Sequence, residues 1–128
     1  MINYINASAE IIDGTMRINL SKTYDYIGLV SVCFPRYIFS DSTPISVEIQ
    51  VDEIDKTYEN PHRVLSRLHF EYKVNNHFYQ YETTHIQWQK LDSQTKEINL
   101  TFVDKNNQVI RFGDYEIVNL SIALLSKV

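Results

Sequence analysis

Apolar and polar residues alternate with a period of two along most of this chain. Ile45, Val47, Ile49 and Val51 are separated by Ser46, Glu48 and Gln50, which puts the four apolar residues on one face of a half-buried strand. Met16, Ile18 and Leu20 repeat the pattern, as do Leu68, Phe70, Tyr72 and Val74, and then Ile98, Leu100 and Phe102. Strands are also expected over residues 77–81, 86–89, 109–112 and 115–125, with residues 2–6 as an edge strand or an arm.

One stretch departs from alternation. Residues 26–34, Tyr-Ile-Gly-Leu-Val-Ser-Val-Cys-Phe, carry no charge, are rich in β-branched and aromatic side chains, and end at Pro35. A near-continuous apolar run of this length predicts a central strand buried on both faces, and Gly28 argues against a helix. Pro35 stops it, because proline cannot donate to a ladder.

Turn chemistry separates these runs. Asp13-Gly14 predicts a hairpin between residues 10–12 and 15–20, Asn75-Asn76 a second turn, and Asp104 to Gln108 a third. Gly113-Asp114 adds another, and residues 40–44 form a loop by composition. Residues 52–61 are a solvated loop, and residues 63–67 are expected to add one helical turn. About eight to ten short strands with turns every 8–12 residues predict an all-β fold, a two-sheet antiparallel sandwich. Jelly-roll-like connections are preferred over an immunoglobulin-like order, whose Cys…Trp…Cys framework is absent.

The length of 128 residues fits a single β-sandwich domain over residues 1–128, with no linker or repeat. A net charge of −4 without a basic cluster leaves no footprint for nucleic acid. The first six residues lack the basic and apolar regions of a signal peptide, and no run reaches membrane-helix length, so no membrane is expected as a partner. Cys33 is the only cysteine, which excludes an intrachain disulfide and suggests a reducing compartment. Its apolar neighbours predict a small buried hydrophobe rather than a reactive thiol.

Catalytic and cofactor chemistry is sparse, so a non-enzyme without cofactors is expected. His62, His69, His77 and His85 lie in different elements with no tight ligand spacing. Asp52, Glu53 and Asp55 lack the spacing of a calcium loop, and three glycines cannot build a phosphate cradle. A carboxylate pair such as Glu48 with Glu71 is the least excluded enzymatic arrangement. Asn6, Asn99 and Asn119 begin N-x-S/T triplets, which chance explains better than glycosylation.

The aromatic residues Phe78, Tyr79 and Tyr81, with Tyr72 and Trp88, stand out. Such strands supply core, a subunit interface or a platform for stacking on sugar. Core is the commonest use. Interface comes next, because both faces of residues 78–81 are bulky.

Two stretches resemble small structural proteins of Polinton-like viruses and virophages. One is Ile18-Asn19-Leu20 with the run from Tyr24 to Pro35; the other is Ile98 to Asp104 with Asn107 to Phe112. Together they cover under half of the chain, and residues 52–89 lie outside the match. The resemblance implies a capsid-associated or surface structural role, in a virion or a host cytoplasm, and carries no site residues over. The expected partners are a second copy of the chain, as a homo-oligomer, and other capsid proteins. The alternative is a carbohydrate- or receptor-binding module that presents the aromatic strands to a glycan.

Overall fold

The alternating runs form nine strands in the computed structural model, which describes residues 2–10, 15–35, 45–70, 78–92, 95–110 and 117–126. They are β1 (Ile2–Glu10), β2 (Thr15–Asn19), β3 (Tyr26–Pro35), β4 (Ile45–Val51), β5 (Val64–Phe70), β6 (Phe78–Glu82), β7 (Gln89–Lys90), β8 (Glu97–Val103) and β9 (Ile117–Leu125). No helix occurs among the described residues.

Every pairing among the described strands is antiparallel, and the pairings are nested. β1 pairs β9, β2 pairs β8, β3 pairs β6 and β7, and β4 pairs β5. Two further ladders, β3 with β9 and β4 with β8, roll these pairs into two sheets. The first sheet runs β1-β9-β3-β6, with β7 beside β6 on the same edge of β3; the second runs β2-β8-β4-β5. Counting β6 and β7 as one interrupted strand, this is the eight-strand order of a jelly roll. The fold is therefore an all-β, two-sheet antiparallel sandwich.

Alternation decides which residues fill the space between the sheets. Met16, Ile18, Val47, Ile49, Val51, Ile98, Leu100 and Phe102 enter from the second sheet. Ile27, Leu29, Val32, Val118, Leu120, Ile122 and Leu124 meet them from the first. Each large apolar side chain fully buried in this way contributes about 1.5–3 kcal/mol.

Several expectations are corrected by long-range pairing. The hairpin expected at Asp13-Gly14 lies outside the described residues, and the strands on either side of it, β1 and β2, belong to different sheets. Residues 63–67 are not a helical turn. Asn60 holds Val64 from both sides, its Oδ1 accepting the Val64 N–H at 2.8 Å and its Nδ2 donating to the Val64 carbonyl at 3.0 Å. With Arg63 at φ 54°, the chain enters β5 directly. The strand over residues 86–89 shrinks to Gln89–Lys90. The turns at Asn75-Asn76 and Gly113-Asp114 lie outside the described residues.

β3 is central in its sheet, flanked by β9 and by β6 with β7. It is not buried on both faces throughout. Its register against β9 shifts between Leu29 and Ser31, so Val30 bulges and parity reverses. Ile27 and Leu29 point inward before the bulge and Val32 after it. Val30, Ser31 and Cys33 are left half-buried. The expected burial of Cys33 is thus corrected: without the bulge, Cys33 would share the face of Ile27 and Leu29.

Candidate functional site

The registers fix which residues share the outer face of the first sheet. Directly opposed residues lie on one side of a sheet. One outward row is Ile2 on β1, Leu125 on β9, Tyr26 on β3 and Lys90 on β7. The next is Tyr4, Ala123 and Gly28. A third contains Asn6, Ser121, Ser31 and Glu82, and a fourth Asn119, Cys33 and Gln80.

The part of this face around Gly28 is covered by the chain between β6 and β7, while Tyr4 on β1 stays exposed. After Glu82 the Thr83 N–H donates to the carbonyl of the bulged Val30 at 3.0 Å, and the chain leaves the ladder. The Thr83 hydroxyl then accepts the His85 N–H at 3.1 Å and donates to the His85 carbonyl at 3.2 Å, which turns the segment back. Ile86, Gln87 and Trp88 cross over Gly28. A Cβ at position 28 would overlap Ile86 Cγ2 and stand 3.3 Å from the Gln87 carbonyl oxygen and 3.5 Å from Trp88 Cε3. Glycine is required there by close approach. Gly28 and the adjacent Ala123 are buried although they face outward.

The other end is an open depression of about 440 Å³, lined by Asn6, Ser31, Cys33, Gln80, Asn119 and Ser121, with Val32 and Leu120 in its floor. Its shape follows from side-chain length. The two central strands carry the short Ser31, Cys33 and Ser121, and longer amides rise around them. Burial raises the Cys33 thiol above its ordinary value of 9.0, so it remains a neutral thiol at neutral pH. The lining is therefore uncharged: amides, hydroxyls and one thiol, able to donate and accept hydrogen bonds.

The second sheet carries a smaller depression of about 260 Å³ that includes Ser46, Glu48, Arg67, His69, Asp104 and Lys105. Ser46 and His69 are opposed across β4 and β5, with Ser46 Oγ 3.1 Å from His69 Nδ1. The Asp104 carboxylate is held by its own turn, where Oδ1 accepts the N–H groups of Asn106 and Gln108 at 2.9 and 3.0 Å. Glu48 is paired with Arg67 at 3.2 Å and accepts a hydrogen bond from Gln50 at 3.1 Å. Glu71, its suggested catalytic companion, lies outside the described residues. Among the described residues no group of three or more His, Cys, Asp or Glu side chains is placed to hold a metal ion.

Of the aromatic residues singled out in the sequence, Tyr81 and Trp88 lie on opposite faces of the first sheet. Tyr81 is opposite the inward Val32 and packs against the core. Trp88 sits half-buried on the outer side, over Gly28. Tyr79 and Phe78 are opposite Phe34 and Pro35 at the end of the ladder, and Tyr72 lies outside the described residues. The residues missed are the short polar ones. Asn6-x-Ser8, Ser31-x-Cys33 and Asn119-x-Ser121 each repeat at spacing two, which is the mark of one strand face.

Compared with known proteins, the chain matches no family model and no curated relative.

Proposed function

We propose that this chain is a non-enzymatic structural protein of a virus or mobile element, a capsid-associated or surface component that works through protein–protein contacts and self-association, within the virion or the host cytoplasm. The observation that carries the reading is the complete jelly-roll strand order, β1-β9-β3-β6 over β2-β8-β4-β5. Viral capsid subunits are among the users of that architecture. The resemblance of residues 18–20 with 24–35, and of 98–104 with 107–112, to small structural proteins of Polinton-like viruses and virophages points the same way. The solution mass tests it. Sedimentation velocity between low and high micromolar concentration is expected to report an oligomer; a monomer at every concentration would overturn self-association.

A second reading, a glycan-binding module, is favoured by the uncharged depression on the first sheet. Amides and hydroxyls lining a shallow surface suit hydrogen bonding to sugar hydroxyls. Asn119→Ala with Gln80→Ala would then abolish binding on a glycan array and leave the mass unchanged. These positions make cleaner probes than Tyr81, which packs against the core.

A further inference from the structure

We infer that β1 is the self-association edge of the protein, and that two copies join β1 to β1 antiparallel about a two-fold axis through the Asn6 pair. This deepens the self-association reading and rests on it.

The sandwich has an edge at each end of each sheet: β1, and β6 with the two-residue β7, in the first, β2 and β5 in the second. Exposed edges present unpaired N–H and C=O groups, and proteins blunt them with shortness, charge, proline or bulges. β2 has five residues and carries Arg17, which pairs with Glu97 at 2.8 Å. β5 carries Arg67 and His69, and its ladder with β4 is broken by a register shift between Ile49 and Gln50. β6 has five residues, ends at the charged Glu82 and then leaves the ladder. β1 shares only the terminal charge. It runs nine residues, Ile-Asn-Tyr-Ile-Asn-Ala-Ser-Ala-Glu, without proline or lysine, and its only charge is the terminal Glu10. Its register against β9 is unbroken from Ile2 to Glu10. Among the described strands, only β9 pairs with it. The outward Ile2 and Tyr4 are 44% and 61% exposed.

What completes such an edge is another strand, and symmetry selects a second β1. A two-fold axis perpendicular to the sheet makes the strands antiparallel and keeps outward residues opposite outward residues. The numbers of opposed residues must then share parity, so their sum is even. The register that pairs all nine residues has sum 12: Ile2 opposite Glu10, Tyr4 opposite Ser8, Asn6 opposite Asn6. It brings no like charges together, because each Glu10 faces an Ile2 at opposite ends of the ladder. Both copies keep their second sheet on the same side, so the two sandwiches share one continuous first sheet.

Cysteine scanning tests the register. In a Cys33→Ser background, Asn6→Cys places two thiols directly opposite one another across a Cα separation of about 4.5–5.5 Å, which a disulfide spans. Ser8→Cys on the same strand leaves its mates four residues apart, about 13 Å. Mild oxidation should give a covalent dimer of the Asn6→Cys protein on a non-reducing gel and none of the Ser8→Cys protein. Asn6 is exposed, so Asn6→Lys should leave the β-type circular dichroism and cooperative unfolding of the monomer intact while opposing two lysines on the axis and reducing the dimer to monomer mass. An oligomeric wild type whose Asn6→Cys variant does not cross-link, and whose Asn6→Lys variant keeps its mass, overturns the β1 edge and leaves self-association standing elsewhere. A monomeric wild type overturns both.

Discussion

Asp92 faces Asp55 because the backbone leaves them no choice. An isolated bridge joins Ile54 to Leu91, the Asp55 N–H donates to the Lys90 carbonyl at 2.9 Å, and the Asp92 N–H donates to the Glu53 carbonyl at 2.8 Å. The hydrogen bond with the Asp55 side chain raises Asp92 above its ordinary value of 3.8; desolvation and repulsion from Asp55 add to this, and Arg63 opposes it. A raised carboxyl binds its proton more tightly in the folded state than in the unfolded one. The resulting stabilisation is complete below about pH 3.8 and is lost as pH rises through the raised value. Asp92→Asn should therefore melt above the wild type at pH 7, with the gap closing on acidification to below pH 4. Thermal unfolding across that range checks the sign, and a gap that widens in acid would contradict it. This pairing is invisible in the sequence, where the two residues stand 37 positions apart and only a tertiary bridge unites them.

β3 shows how one extra residue changes what a strand presents. With Val30 accommodated as a bulge, Val32 is 1% exposed while Val30 is only half-buried. Val32→Asp would place an unpaired charge in the core at a cost of several kcal/mol, comparable with a total stability of about 5–15 kcal/mol, and should give insoluble protein. Val30→Asp can reach solvent and should remain soluble and fold cooperatively, with a lower midpoint in denaturant. Equal loss of both variants would place Val30 in the core. Strands whose alternation is unbroken were legible from their residues: Met16, Ile18 and Leu20, or Ile98, Leu100 and Phe102, lie buried as their spacing predicts. The bulge was not, because Leu29-Val30-Ser31 carries no glycine or proline to mark it. The depression on the first sheet was hidden for the same reason. Its small polar residues come from four strands, and one shift of parity in β3 decides that Ser31 and Cys33 join Asn119 and Ser121.

At the scale of the whole molecule, pairing is almost entirely non-local. The chain's first strand pairs its ninth and its second pairs its eighth, so the sandwich closes only when segments about a hundred residues apart meet. Loop closure must be met before those contacts reward it, and refolding from denaturant should take milliseconds to seconds rather than microseconds. Stopped-flow fluorescence of Trp88, which packs over Gly28, measures this rate. Nesting also explains why the fold class was readable while the partners of individual strands were not: periodicity identifies faces, and only the closed fold assigns neighbours. The same feature has a consequence for synthesis. β9 lies between β1 and β3 in the first sheet, so it is the strand that joins them. On the ribosome, β1 and β3 emerge long before β9 and have no ladder to share until Leu125 has cleared the exit tunnel. The edge of β1, and the apolar faces of both strands, are thus open to other nascent chains until β9 arrives. A cell making this protein in quantity meets that exposure before any assembly begins.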